Sequence, residues 1–418
     1  MATIRSLRQS WRSACTLRHI STTKNATAYR SFSVSNGNAF GKNNSRPMLL
    51  RNSEQAPQFS TNPTMEAMRR VKGQFKYVAK VTGLTVLSIT TLTALAWQSY
   101  HLYIEYCLES TPSELGYKAR NLLHGAHIRE KVSPDFDIAV LYLREVLRIA
   151  LEEKHLDESS LTLIKLRLRL ADDETRAGNL FDAIAEYTRA WKLLSQAKME
   201  GADTLLAQTA KKIGDLYTRV ADYEKAEEFL AWALHAMSEQ QQSDSVEFEQ
   251  LKVTTTCSLG SLYAIQHNFK LALPLFLRAL KAIPDVESTE ELSPSEVSWT
   301  CLKGIIQNQL SEVMYGMDRL DEALGWAQAS LETSNYGIEK SSTKDKSAGA
   351  RISKDCEECR NVASNNLGRL LEIKGEFDQA LACFRQAALH ASESGDRAGS
   401  ARYTKNADRI EKLLQSKN

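Results

Sequence analysis

The sequence has few cysteines: seven in 418 residues. They are scattered, at Cys15, Cys107, Cys257, Cys301, Cys356, Cys359 and Cys383. So low a density excludes a small scaffold held together by disulfide bonds. Hydrophobic packing must therefore stabilise the fold.

The motifs of common catalytic and cofactor sites are also absent. The chain has no GxxxxGK phosphate loop, no HExxH zinc motif and no dinucleotide fingerprint, and its eight histidines are dispersed. We therefore predict no catalytic residue, no cofactor and no metal site, and we do not expect an enzyme.

The spacing Cys356-Glu357-Glu358-Cys359 is the one metal-like or redox-like pattern. A single pair cannot close a zinc site, which needs four ligands, although Cys383 could approach it in the fold. A disulfide between Cys356 and Cys359 is an alternative, because an oxidising compartment would permit it. An incidental pair at the start of a helix is the favoured interpretation.

Acidic residues are missing from the first 53 positions, which hold seven Arg, two Lys and many Ser and Thr. This composition is typical of a mitochondrial presequence. The alternative, a basic tail for nucleic acid, rarely excludes acids so completely, and no nucleic-acid partner is predicted. Arg30-Ser31-Phe32-Ser33 resembles a matrix processing site, so residues 1–32 are the predicted presequence, with Arg18 to Ser21 as a second candidate site.

Charged residues are also missing from 81–104, a stretch of 24 residues that would reach about 36 Å as a helix. This length predicts a transmembrane helix, with a buried helix of a soluble domain as the alternative. The segment 33–75 is predicted to be disordered and basic. Lys76 and Lys80 precede the span, an aromatic band closes it and acids follow, so the positive-inside rule places the N-terminus in the matrix. The C-terminal domain then faces the intermembrane space, provided that the membrane is the inner one.

From residue 115 onward, strand patterns are almost absent and amphipathic helices come in pairs. In five places a small residue precedes an alanine by twelve positions. The pairs are Ala171 and Ala183, Gly214 and Ala226, Gly260 and Ala272, Ser311 and Ala323, and Gly368 and Ala380. A sixth unit is predicted around Ala139. These spacings resemble the tetratricopeptide repeat (TPR), most clearly at Leu259-Gly260-Ser261-Leu262-Tyr263 and the residues that follow. The resemblance implies that the repeated residues pack between helices.

The alanines of successive units lie 44, 43, 46, 51 and 57 residues apart, more than the usual 34. Helices must be extended or connections inserted. The segment from Gly337 to Lys354 is predicted to be a disordered insertion, and Ala401 to Leu414 a terminal capping helix with Arg402, Lys405, Arg409 and Lys412 outward. The predicted fold is all-α: a TPR-like α-solenoid of about five to six helical hairpins over 115–415, preceded by the transmembrane helix and the presequence.

The first helices of the hairpins should line a groove with mixed charges and amides, which suits a peptide or an unfolded segment. The outward residues at helical spacing are Lys165, Asp172, Arg176, Lys211, Asp215, Arg219, Asn308, Tyr315, Asn365, Arg369 and Glu372. An ordinary solvated face is the alternative for each of them. Lys211, Cys257 and Asn308 occupy successive corresponding sites, so the carboxylate clamp of chaperone-binding TPR proteins is incomplete.

Presequence, one span and a long divergent array together resemble the fungal TPR adaptor subunit of the mitochondrial i-AAA protease supercomplex. The resemblance implies a non-enzymatic inner-membrane adaptor that binds unfolded or misassembled proteins and delivers them to the protease. Its partners would be the i-AAA protease, the other membrane adaptor subunits and unfolded substrates.

Three other interpretations stay open. A TPR assembly factor for a respiratory-chain complex has the same layout. An outer-membrane import receptor would carry an N-terminal anchor and no cleavable presequence. A thiol oxidoreductase would use Cys356 and Cys359.

Overall fold

The computed structural model describes residues 62–197, 202–239, 245–285, 291–341 and 349–417. The predicted presequence, 1–32, and residues 33–61 of the predicted basic segment lie outside this part of the chain. The described part forms two compact units, which divide between His124 and Gly125.

Fourteen α-helices make up nearly all of the regular structure in the described residues. They are α1 Pro63–Tyr103, α2 Gly116–Lys131, α3 Phe136–Arg148, α4 Leu161–Ala177, α5 Leu180–Ala197, α6 Asp203–Arg219, α7 Tyr223–Glu239, α8 Val246–Ile265, α9 Phe269–Lys281, α10 Pro294–Gly316, α11 Leu320–Lys340, α12 Gly349–Lys374, α13 Phe377–Glu393 and α14 Arg397–Lys417. Within these ranges no strand is formed, and one isolated bridge joins Leu292 to Ser341. The all-α prediction is confirmed.

The N-terminal unit is dominated by α1, a helix of 41 residues with no buried residue. Asn62 caps it, because its side chain accepts a hydrogen bond from the backbone N–H of Thr64, and Pro63 occupies the first turn. The helix therefore includes 63–75, where the sequence predicted disorder. It is long and apolar enough to cross a membrane by length and composition, and the span over 81–104 remains a prediction.

The second unit is a stack of helical hairpins. The helices pair as α4 with α5, α6 with α7, α8 with α9, α10 with α11 and α12 with α13, while α3 packs on α4 and α14 packs on α13. These five pairs are numbered here as the second to sixth hairpins, counting α2 and α3, which precede them in the sequence, as the first. Buried clusters lie between successive hairpins. Tyr187 and Ile213 share one, Phe276 and Ile306 another, and Phe384 packs with Ile410 of α14 in the last. Stacking thus supplies a continuous core that no single hairpin has.

The small residues of the repeat lie where the two helices of a hairpin touch. A Cβ added to Gly214 would come 2.6 Å from Cγ of Leu230, and one added to Gly260 would come 3.0 Å from the ring of Phe276. In the fifth hairpin the Ser311 hydroxyl donates to the carbonyl oxygen of Ala323 at 2.8 Å. The repeat residues therefore have the packing role that the sequence predicted.

Five hairpins turn in the same way. One residue with positive φ lies five positions before the repeat alanine in each, and these residues are Gly178, Ala221, His267, Asp318 and Gly375. The next residue donates its N–H to a carbonyl five positions back, as Asp222 does to Tyr217 at 3.0 Å. This is the hydrogen bond of a Schellman turn. The same type of turn therefore connects the two helices in each of these five hairpins.

The long repeat period has two causes. The fifth and sixth hairpins have extended helices, with 23 residues in α10, 21 in α11 and 26 in α12. Connections also contribute, since eight residues, 341–348, separate the end of α11 from the start of α12. The disordered insertion predicted from Gly337 to Lys354 is wrong at its ends, because α11 continues to Lys340 and α12 begins at Gly349.

Candidate peptide-binding face

The candidate site is the face formed by the first helices of the hairpins, α4, α6, α8, α10 and α12, together with α14. All eleven predicted groove residues lie on these first helices. The structure shows that several of them bond to a neighbouring hairpin.

Between the second and third hairpins, the contact is an ion pair. The Lys212 ammonium lies 2.6 Å from a carboxylate oxygen of Asp172, which also accepts a hydrogen bond from the Tyr187 hydroxyl. Burial and the neighbouring carboxylate raise the pKa of Tyr187. Lys211 instead pairs with Asp215 on its own helix at 2.6 Å. Asp172, Lys211 and Asp215 therefore all have charged partners within the chain.

Between the fourth and fifth hairpins, and between the fifth and sixth, the contacts are hydrogen bonds donated by a hydroxyl or an amide group. Ser261 donates to Oε1 of Gln309 at 2.8 Å. Asn366 donates to Oε1 of Glu312 at 2.9 Å and to Oδ1 of Asn308 at 3.1 Å. The protein atoms around the Glu312 carboxylate raise its pKa, while the amides of Asn366 and Asn308 act in the opposite direction.

The three inter-hairpin contacts share one register. Lys212, Gln309 and Asn366 each lie fourteen positions before the alanine of their own hairpin. Their partners Asp172, Ser261 and Glu312 each lie eleven positions before the alanine of the preceding hairpin. We call these three pairs the register bonds. They join α4 to α6, α8 to α10 and α10 to α12.

The terminal helix continues this surface. Asn406 donates to Oδ1 of Asn365 at 2.9 Å, and Arg409 forms a double hydrogen bond with Glu372. The Arg409 guanidinium is the largest cause of a lowered pKa at Glu372, and Arg369 adds to it. The sequence predicted Arg409 to point outward, and this is corrected: its guanidinium is paired with the last hairpin.

The remaining predicted residues are exposed on the same face. Lys165, Arg219, Tyr315 and Arg369 present their side chains to solvent, and Arg369 lies 3.3 Å from Glu372. Arg176 is also exposed and lies 5.3 Å from the centre of the Phe136 ring. These cations and one phenol are the groups of the predicted set that a ligand reaches without breaking a register bond.

Sequence reasoning missed the partners Lys212, Gln309, Asn366 and Ser261. The signal was present, because complementary polar types recur at positions fourteen and eleven before the repeat alanine. It could not be used without knowing that these two positions face each other across hairpins, which depends on how the hairpins stack.

The structure pairs Cys356 with neither Cys359 nor Cys383. Cys356 forms a disulfide with Cys301, which joins α12 to α10, and Cys359 keeps a buried free thiol. Burial raises the pKa of the Cys359 thiol, while Ser334 and Ser330 act against the rise. A disulfide between Cys356 and Cys359 is therefore not formed.

A second polar cluster, which the sequence did not indicate, lies in the N-terminal unit. Nδ1 of His101 is 2.7 Å from Nδ1 of His124, and Nε2 of His124 is 3.0 Å from a carboxylate oxygen of Glu105. Thr111 donates to that same oxygen of the carboxylate at 2.7 Å. Across the described residues, no group of three or more His, Cys, Asp or Glu side chains is placed to hold a metal ion.

Comparison with known proteins gives one match to a family and several to solved structures. A family model of the tetratricopeptide repeat matches residues 363–389, which cover most of the last hairpin. None of the curated proteins matches this sequence.

Three solved structures illustrate the structural likeness. BtubC (BKLC) from P. vanneervenii is 17% identical with a TM-score of 0.45, and the match covers 63% of this chain and 93% of that one. Aspartyl phosphate phosphatase F from Bacillus subtilis is 12% identical, with a TM-score of 0.44 and coverage of 72% and 71%. The TPR-like repeats of a kinesin light chain from Podosopora anserina are 13% identical, with a TM-score of 0.41 and coverage of 52% and 96%.

TPR arrays are typically non-catalytic scaffolds for protein interaction. The family match at 363–389 coincides with a hairpin whose small residue, alanine and turn repeat through the stack. The chain therefore contains a tetratricopeptide repeat at 363–389.

Proposed function

We propose that this chain is a non-catalytic adaptor of the mitochondrial inner membrane. It binds unfolded or misassembled proteins in the intermembrane space through its TPR face and delivers them to the i-AAA protease. The observation that carries the binding role is the face of stacked first helices, in which register bonds join α4 to α6 and α8 through α10 to α12.

The composition of this face supports recognition of a polypeptide. Arg219, Tyr315 and Arg369 are exposed on three first helices, so they combine an aromatic ring with two guanidinium groups. Both residue types are enriched at protein interfaces, and guanidinium groups donate readily to backbone carbonyls. The register bonds tie neighbouring first helices together, and a preorganised surface loses less entropy on binding.

Two features support the location. The long exposed helix α1 agrees in length and composition with a membrane anchor. The disulfide between Cys301 and Cys356 agrees with an oxidising compartment, because disulfides are rare where glutathione keeps thiols reduced. Both agree with an array that faces the intermembrane space.

The mechanism requires no catalytic residue. A substrate held on the face of an anchored array stays beside a protease anchored in the same membrane, and its effective concentration there rises into the millimolar range for a short tether. The assignment to the i-AAA protease comes from the resemblance in architecture.

Affinity purification from mildly solubilised mitochondria tests the proposal. The intact chain should recover the i-AAA protease and unfolded substrates. The triple variant Arg219→Ala, Tyr315→Ala, Arg369→Ala should keep the protease and lose the substrates. The matched control Arg278→Ala, Phe181→Ala, Arg385→Ala removes two arginines and one ring from second helices and should keep both. Recovery of respiratory-complex subunits without the protease would refute the adaptor role and support that of an assembly factor.

A further inference from the structure

The helix α1 is longer than a membrane span requires. Its 41 residues extend about 62 Å at 1.5 Å per residue, whereas a hydrocarbon core is about 30 Å thick. When 81–104 occupies the core, residues 63–80 lie beside the bilayer as about 27 Å of helix. This segment is here called the juxtamembrane helix.

The juxtamembrane helix has a defined start. Asn62 accepts hydrogen bonds from the N–H of Thr64 at 3.2 Å and from its hydroxyl at 2.6 Å. Pro63 fits the first turn, because an N–H at that position has no partner within the helix and none is lost. Glu66 lies near the positive end of the helix dipole. These features specify a helix that begins at Pro63.

One face of the juxtamembrane helix is apolar. Met68, Val71, Phe75 and Val78 recur at spacings of three, four and three residues, which places them within about 80° of arc at 100° per residue. They are exposed by 69%, 63%, 74% and 58%. A stripe of this kind on a lone helix requires a partner or a lipid surface to cover it.

The adjacent face is basic. Arg69, Lys72, Lys76 and Lys80 recur at spacings of three, four and four residues, and their arc is centred about 120° from that of the apolar stripe. No acidic residue follows Glu66 before the span. Long basic side chains at the edge of an apolar stripe extend to headgroup level while the stripe enters the acyl boundary.

We infer that the juxtamembrane helix binds the surface of an anionic phospholipid bilayer, with Met68, Val71, Phe75 and Val78 in the acyl boundary and the four basic residues on the lipid phosphates. The inference rests on the proposed membrane span. Two observations select lipid as the occupant: the basic stripe matches anionic headgroups, and the covalent link to the span holds the helix at a leaflet.

The start of the span, which directly follows the juxtamembrane helix, contains residues that favour a bend. Gly83 has no atom within 4 Å of an added Cβ, and the Thr85 hydroxyl donates to the carbonyl of Val81 at 2.9 Å. Glycine and back-bonded threonine are common causes of helix bending. A bend here lets the juxtamembrane helix lie along the leaflet while the span crosses it.

Hydrogen exchange of the full-length chain in nanodiscs tests the inference. Discs of phosphatidylcholine alone are compared with discs in which roughly a third of the lipid is phosphatidylglycerol, and exchange is followed in peptides from 63–80. Protection of these amides should rise in the anionic discs and fall again in high salt. Each basic residue should contribute about fivefold to the binding equilibrium.

Two triple variants test whether the basic stripe drives the binding. Arg69→Gln, Lys72→Gln, Lys76→Gln should abolish the lipid-dependent protection, whereas the matched triple Arg402→Gln, Lys405→Gln, Lys412→Gln on α14 should leave it intact. Equal exchange of 63–80 in both kinds of disc would overturn the inference, as would protection that appears only after a soluble protein is added.

Peptides from 84–100 report on the span in the same experiment. If they are protected in both kinds of disc while 63–80 does not respond to anionic lipid, the surface binding is refuted and the membrane anchor stands. Free exchange of 84–100 refutes the anchor itself, and with it both proposals.

Discussion

Cys301 and Cys356 form a disulfide that joins the first helices of the fifth and sixth hairpins. The two residues are 55 positions apart, and their bond spans a part of the chain in which the repeat period is longest. Leu292 and Val297 pack against it. A covalent bond therefore reinforces the stack where its repeat period is longest.

Reduction of this disulfide should destabilise the last two hairpins. Closing a loop of 55 residues contributes about 4 kcal/mol by the chain-entropy argument. Cys301→Ser should lower the midpoint of thermal unfolding and increase hydrogen exchange in α10 and α12, and a reductant should have no further effect on the variant. Cys383→Ser is the control and should retain sensitivity to reductant. Peptide mapping that finds Cys356 linked to Cys359 would contradict the pairing.

Gly214→Ala should weaken the third hairpin. The added methyl group would lie 2.6 Å from Cγ of Leu230 and 3.2 Å from the carbonyl oxygen of Ala226, so the helices must separate, at about 1 to 3 kcal/mol. Gly325→Ala is the matched control, because its methyl group meets no atom within 4 Å and helix propensity alone favours it by about 1 kcal/mol. Denaturant unfolding measures both, and equal effects would contradict the close contact.

Ala221→Gly should stabilise the third hairpin. Ala221 has a φ of 61° at the turn, and the left-handed conformation costs an L-residue about 1 to 2 kcal/mol that glycine avoids. In contrast, Ala382→Gly in the middle of α13 should destabilise by about 1 kcal/mol. A lower unfolding midpoint for Ala221→Gly would show that the turn in solution differs.

The register bonds should be visible as coupling energies. Ser261→Ala and Gln309→Ala should each destabilise the array, and a double-mutant cycle should give about 1 kcal/mol of coupling for the bond between them. The same cycle on Ser261 and Asn366, which belong to different register bonds, should give additive effects. Absence of coupling in the first cycle would show that Ser261 and Gln309 do not form a register bond in solution.

Stability should depend on pH through Asp173. Burial, followed by the nearby Glu130 carboxylate, raises the pKa of Asp173 to about 7 from an ordinary value of 3.8, and Arg169 and Arg176 act against the rise. The folded chain therefore holds a proton that the unfolded chain releases, so the stabilisation is complete below pH 3.8 and is lost as the pH rises through about 7.

Asp173→Asn removes this titration. The variant should gain stability relative to the native chain between about pH 4 and about pH 8, as measured by the midpoint of thermal unfolding, and the two should converge at the acid end of that range. Asp408→Asn, at an exposed position of α14, is the control, and its unfolding midpoint should depend on pH as that of the native chain does. A difference between Asp173→Asn and the native chain that does not change with pH would refute the raised pKa.

The sequence by itself determined the helical pairs, because each pair is local. A small residue twelve positions before Ala226, or before Ala380, brings two consecutive helices together through a short turn, and helical periodicity marks both partners. The start of α1 is similarly local, since Asn62 and Pro63 specify a helix end, although composition favoured disorder there.

Only the tertiary structure decided which residues meet across hairpins. Cys356 lies three positions from Cys359 yet bonds to Cys301, and Asn366 reaches Glu312 at 2.9 Å across 54 positions. Such contacts depend on the rotation of each hairpin against the one before it. That rotation arises from packing of bulky side chains between hairpins, and the local periodicity of a sequence does not record it.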